Sequence, residues 1–228
     1  MPVRRLTAPL FDDRGTAGRR LARELAGRAE LADGPILVVG LARGGVPVAA
    51  EVARVLEAPL ATLVVKKIGH PLQPEFGLGA VTPGGGVYVR EPADLTPEEL
   101  DRVVARTQAR AEEKAARLER IAPAPDPKDA VCVIVDDGLA TGATLIAAAR
   151  WARVHEARRV LAAVPVASTE GAAMVSREVD AFVCPYITDR FWAVSVWYRD
   201  FPQVDDAEVE EIMRAEIRVP PPTRPAAR

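Results

Sequence analysis

The chain has 228 residues, 49% apolar and 27% charged, the balance of a folded globular protein and far from a disordered or collagen-like one. A formal net charge of −2 removes any overall basis for binding nucleic acid or an anionic membrane, which draw on surplus Lys and Arg, so an anionic ligand must be met locally. No window reaches the ~18 apolar residues of a membrane span, MPVRRLTAPLFDDRG lacks the apolar stretch of a leader, and Cys132 and Cys184 have no metal-ligand spacing, which together read as a cytoplasmic protein with buried, reduced thiols.

Apolar and Ala positions recur at helical spacing from Arg14 to Arg28, which predicts an amphipathic first helix. GPILVVGLARGGVPVAAEVARVL then gives an apolar run, Ile36 to Val39, a Gly-rich turn and a helix from about Val46 to Leu56. A second buried strand, Leu60 to Val65, ends on Lys66 and Lys67. The IGHPLQPEFG after it is rich in Gly and Pro and reads as a mobile loop with His70 exposed in it. GLGAVTPGGGVYV alternates around Pro-Gly-Gly-Gly, the pattern of a β-hairpin. Thr96 as N-cap, Pro97 at N1 and Glu99 at N3 form a capping box that opens a long charged helix to about Arg120.

The linker APAPDPKD leads to a strand, Val131 to Val135, a loop, and a helix from about Ala143 to Val154, with His155 on the surface. Strands near Val160 to Val166 and Ala181 to Cys184 flank a helix between Glu170 and Arg177. This alternation predicts an α/β fold, a mostly parallel sheet with helices on both faces. An aromatic cluster, FWAVSVWYRDF from Phe191 to Phe201, and a helix near Asp206 to Arg218 complete a single domain over residues 1–219. The Pro-rich PPPTRPAAR, residues 220–228, reads as a solvated tail.

The most informative stretch is VCVIVDDGLATGATLIA, residues 131–147. Ligands of open α/β sheets sit at the carboxyl ends of strands, where this loop lies. Gly138 and Gly142 let backbone N–H groups converge, and Thr141 and Thr144 add hydroxyls at a helix N-terminus, which together make a phosphate cradle. A P-loop is excluded, because Ala143 stands where its Lys belongs and the glycine spacing is one residue short; nor is there a G-x-G-x-x-G dinucleotide fingerprint. Beside a phosphate, Asp136 and Asp137 would repel the ligand unless they bind its sugar hydroxyls or a divalent cation that offsets the charge.

An apolar strand, two acidic residues and a TG-x-T loop, here VCVIVDDGLATGAT, resemble the signature of the type I phosphoribosyltransferases, and the resemblance extends over most of the chain. It implies that fold, with a small variable hood and, unlike the orotate, adenine and hypoxanthine enzymes, a long inserted helix. It implies phosphoribosyl pyrophosphate (PRPP) as substrate. Asp136 and Asp137 would fix the 2- and 3-hydroxyls. Gly138, Leu139, Ala140, Thr141, Gly142, Ala143 and Thr144 would hold the 5-phosphate. Arg43, between Ala42 and Gly44 in LARGG, would contact pyrophosphate next to a cis Ala42–Arg43 peptide, with Lys67 first and Lys66 second as further contacts. Mg²⁺ would be bound mainly through PRPP and water, with no protein metal ligand named. The loop after Lys67 would act as a lid.

The reaction implied is transfer of 5-phosphoribose to a nitrogenous base or related small-molecule acceptor, with release of pyrophosphate; the alternative is a non-catalytic PRPP-binding regulator. Neither nucleic acid nor membrane is an expected partner, and a homodimer stays open. Phe191, Trp192, Trp197 and Tyr198 either stack on a planar acceptor or pack the hood core or a dimer contact. FDDR, LARGG, KKIG and WY stretches are similar to those of a bacterial group whose acceptor the residues do not reveal.

Overall fold

The computed structural model describes residues 9–73, 76–90, 94–121 and 125–217. In chain order these form α1 (Arg14–Leu25), β1 (Ile36–Ala42), α2 (Gly45–Leu56), β2 (Leu60–Val64), β3 (Lys66–Gly69), β4 (Gly77–Val81), β5 (Val87–Val89), α3 (Pro97–Leu118) and β6 (Val131–Val135). They continue with α4 (Ala143–Val154), β7 (Arg159–Ala163), β8 (Val166–Ser168), α5 (Thr169–Val175), β9 (Ala181–Val183), β10 (Tyr186–Thr188) and α6 (Asp206–Ile217). The proposed tail at 220–228 lies outside the described residues. Among them, no helix is long and apolar enough to cross a membrane.

Five strands form one parallel sheet in the order β2-β1-β6-β7-β9. All five residues of β6 are buried, and their alternation divides the core in two. Val131, Val133 and Val135 pack with Leu21 and Leu25 of α1 and Val48 and Val52 of α2. Cys132 and Ile134 face the other way, against Leu145, Ala148 and Ala149 of α4 and Val175 of α5. Helices on both faces leave the strands no polar side, which is why these runs are continuously apolar. From β1 the chain turns to β2 on one side and later to β6 on the other. The carboxyl ends of β1 and β6 therefore border a topological switch point, where a ligand crevice opens.

Two accessory cores flank this sheet. β3, β4 and β5 form an antiparallel sheet that packs with α3 and α6 through Ile68, Leu78, Val81, Ala111, Val209 and Met213. The long helix begins with the expected capping box on Thr96 and Glu99. The second core joins Phe11, Val166, Trp197 and Tyr198.

One expectation is corrected. The segment after Lys67 is not loop throughout, because Lys66–Gly69 pair with β4 in the register Lys66↔Val81, Lys67↔Ala80 and Ile68↔Gly79. The register shifts between Ile68 and Gly69, which pairs with Gly77, and His70 is buried at 4% exposure rather than exposed. The sequence looks loop-like because Gly and Pro crowd it, but an antiparallel partner satisfies its backbone. Of the proposed lid, residues 74 and 75 lie outside the described residues. His155 is on the surface as expected, its ring against Trp151 and Nε2 3.0 Å from the Gly84 carbonyl oxygen. Cys132 is buried and its thiol pushed up to about 12 by that burial, and Cys184 is half-buried, also pushed up to about 12; both are free, and the shift disfavours the thiolate.

Candidate active site

Asp136 and Asp137 follow β6 directly, so the buried strand carries two carboxylates to its end. Gly44 and Gly45, just past β1, make room for them. A Cβ on Gly45 would lie 2.6 Å from the Val135 carbonyl oxygen and 2.9 Å from Asp136 Cα, and one on Gly44 would lie 3.0 Å from Asp137 Cγ. Both glycines are required by space, and the Ala42–Arg43 peptide before them is cis.

The acidic pair is electrostatically tense. Burial holds the Asp136 carboxyl well above the usual carboxylate range, and the neighbouring Asp137 adds repulsion. The Asp137 N–H donated to Asp136 Oδ1 at 2.9 Å, and the charges of Lys67 and Arg14, act the other way. Burial also raises Asp137, opposed chiefly by Arg14.

Arg14 is the site residue that sequence reading missed. Its Nε and Nη2 lie 3.0 and 2.9 Å from Asp137 Oδ2, its Nη1 donates to the Pro202 carbonyl oxygen at 2.7 Å, and its guanidinium lies 3.7 Å from the Phe201 ring centre. Tyr198 completes the clasp, its hydroxyl donating to the Asp137 carbonyl oxygen at 2.6 Å.

The next loop is pinned from behind. The Leu139 N–H donates to the Val166 carbonyl oxygen at 2.9 Å, the Ser168 N–H to the Leu139 oxygen at 2.9 Å, and Ser168 Oγ to the Ala140 oxygen at 2.5 Å. Leu139 therefore anchors the loop, with its side chain buried and its N–H already committed. Ala140 and Thr141 are exposed and Ala143 and Thr144 half-buried. Gly142 enters α4 with φ +83°, a conformation that favours glycine, and no side chain caps the helix among the described residues. The first N–H groups of α4 thus lack a side-chain cap among the described residues, the arrangement that favours an anion. Gly138 has Val194 over it, 2.6 Å from where a Cβ would stand.

A cavity of about 500 Å³ opens beside Asp137, lined by Arg14, Ala42, Arg43, Gly44, Lys66 and Lys114 and floored by Phe201, Pro202 and Val204. Lys66, not Lys67, stands on its wall; Lys67 projects from β3 into a neighbouring cleft, though its charge is felt by both aspartates. Asp136 and the stretch Gly138 to Thr144 do not line the cavity. Lys114, from the inserted helix, was not foreseen. Its Nζ lies 2.9 Å from Asp206 Oδ1, and Arg43 Nη1 lies 4.0 Å from the same oxygen.

The aromatic cluster divides. Trp197 and Tyr198 are buried in the core with Phe11, and Phe191 stacks on Trp197 at 6.1 Å, whereas Trp192 is 84% exposed.

Comparison with known proteins gives this geometry a family. Residues 13–200 match the model described as "Phosphoribosyl transferase domain". Proteins of two Mycobacterium tuberculosis strains, named "Putative phosphoribosyl transferase MT0597" and "Putative phosphoribosyl transferase Rv0571c", are 41% identical over 204 residues, which is 88% of this chain and 45% of each relative. The chain thus spans about half the length of those relatives. The crystal structure of TT1426 from Thermus thermophilus superposes with a TM-score of 0.77 at 39% identity, covering 90% of this chain and 98% of that one. With the strand, acidic pair, glycine contacts and uncapped helix all inside the matched residues, the chain belongs to the phosphoribosyl transferase domain family.

Proposed function

We propose that the chain transfers 5-phosphoribose from PRPP to a nitrogenous base or related small-molecule acceptor and releases pyrophosphate. The observation that carries this reading is the half-buried pair Asp136–Asp137 set between the uncapped N-terminus of α4 and the cationic wall of Arg43 and Lys66. A phosphate on α4, vicinal hydroxyls on the carboxylates and a diphosphate on the cations describe the three ends of PRPP.

The α4 N-terminus and Thr141 would bind the 5-phosphate, a remote handle that orients the anomeric carbon. As the bond to pyrophosphate breaks, positive charge develops on the ribose and negative charge on the leaving group. Arg43, Lys66 and Lys114 stand where the latter is stabilised, and Lys67 contributes from the adjoining strand position. Mg²⁺ would be held mainly by PRPP oxygens and water rather than by protein side chains. Bound in that way, Mg²⁺ supplies charge neutralisation to the diphosphate.

The Arg14 contact supports a second reading, a regulator that binds PRPP without turnover, because a carboxylate already gripped by a guanidinium has less to give a hydroxyl. One experiment addresses both. PRPP with Mg²⁺ at about 100 times its Kd is expected to stabilise the fold by about 2.7 kcal/mol, a rise of about 5–10 °C in Tm for a domain this size. Pyrophosphate release across a panel of bases and amines then separates enzyme from regulator, and no thermal shift at all would overturn both.

Asp206 provides a second check. Its carboxylate lies beside Lys114 and Arg43 and is held below the usual range, first by the Lys114 hydrogen bond, so it competes with the diphosphate for both cations. Exposed pairs of this kind are worth about 0.2–1 kcal/mol. Asp206→Asn should therefore tighten PRPP by up to about fivefold in a calorimetric titration, and unchanged or weaker binding would place the diphosphate elsewhere.

A further inference from the structure

A second cleft, about 420 Å³, lies between β3 and the inserted helix α3 and shares only Lys66 with the cavity already described. Its walls carry Lys66 and Lys67 from β3 and Arg106 and Arg110 from α3, one helical turn apart on the same face. Among the described residues, none of the four makes an ion pair, although the chain has more carboxylates than cations and most of its other arginines are matched. Lys66 lies within the field of Asp206 and Lys67 within that of Asp136 and Asp137, and Asp94 stands at the His70 end of the cleft. Asp94 Oδ2 is 3.2 Å from His70 Nε2, while His70 Nδ1 accepts the Leu72 N–H at 3.2 Å.

Two lysines from β3 and two arginines from α3 thus gather four like charges around one concavity, where they repel each other. We infer that the cleft is a binding site for the di- or triphosphate group of a second ligand, distinct from the PRPP bound next door. The location next to PRPP rests on the function proposed above; the anion site itself rests on the cleft. Guanidinium pairs at helical spacing bind phosphate oxygens through paired N–H donors, and four cations match the charge of a di- or triphosphate. Whether the phosphates belong to the acceptor or to an effector, the recognising chemistry is the same.

Inorganic tripolyphosphate is the probe, titrated into the full chain with and without saturating PRPP and Mg²⁺, with the Arg106→Ala/Arg110→Ala double variant alongside. Both side chains are exposed, so the variant should keep the wild-type Tm. The expected result is binding to PRPP-loaded wild type that weakens at least about tenfold in the variant, while PRPP itself binds both proteins alike. An affinity for tripolyphosphate equal in the two proteins, or binding abolished by PRPP, would overturn the inference, the latter by making the cleft an extension of the pyrophosphate site. Failure of PRPP to bind either protein would instead strike at the proposed function, and an Arg-dependent tripolyphosphate site would stand without it.

Discussion

Gly44→Ala is expected to lower PRPP-dependent turnover by at least about 100-fold and to cost about 1–3 kcal/mol of stability, the range for forcing extra volume into a packed site. Gly44 has ordinary helical backbone angles, φ −61° and ψ −28°, so alanine is tolerated by the backbone and the penalty is one of space. The added methyl would run into the Asp137 carboxylate, with Cγ 3.0 Å away and Arg14 Nη2 at 3.4 Å. Arg14 holds that carboxylate and the Tyr198 hydroxyl holds the Asp137 backbone carbonyl, so a shift of the side chain strains both contacts, and a displacement approaching 1 Å in a positioning group can cost about 100-fold. Gly77→Ala is the control, since a Cβ there meets nothing within 4 Å and its φ is not positive. If Gly44→Ala retained wild-type PRPP affinity and turnover, Asp137 would not be a ligand of the sugar.

The parts of this site that were legible in the sequence are those built from neighbours in the chain. The strand, acidic pair, glycines and helix entry of residues 131–147 are consecutive, so local patterning specifies both the elements and the chemistry. LARGG was legible for the same reason, and so was the capping box of α3. What escaped depends on distant packing. Arg14 meets Asp137 across 123 positions, and FDDRG by itself shows only the start of an amphipathic helix. Lys114 lies deep in a helix whose charges all look solvent-facing until the helix is seen against β3 and α6. His70 was assigned to an exposed loop because nothing local announces that its strand will find β4. The sequence ranks Lys67 before Lys66; Lys66 lines the cavity while the charge of Lys67 acts on both aspartates, a division that depends on how β3 pairs with β4.

Arg14→Ala is the second large effect, and its size depends on pH. The substitution leaves Asp137 buried beside Asp136 without its cation and orphans the Pro202 carbonyl oxygen. Breaking a buried pair from one side costs about 3–5 kcal/mol, or a fall of roughly 6–20 °C in Tm at this size. Both aspartates already have folded-state values above the ordinary 3.8, so the folded protein holds protons that the unfolded chain releases, and stability falls as pH rises from about 4 through the raised values. Removing Arg14 raises Asp137 further and widens that window. The Tm deficit of Arg14→Ala should therefore be largest at pH 8 and shrink as the pH falls and Asp137 takes up its proton. Adding Asp137→Asn should recover part of the loss at pH 8, because the variant no longer buries an unpaired charge, and a double-mutant cycle measures the coupling. A deficit under about 1 kcal/mol that is the same at pH 5 and pH 8 would show that Arg14 acts only through its stacking on Phe201. The expected coupling would establish that a helix at the start of the fold sets the charge of the carboxylate proposed to hold the sugar.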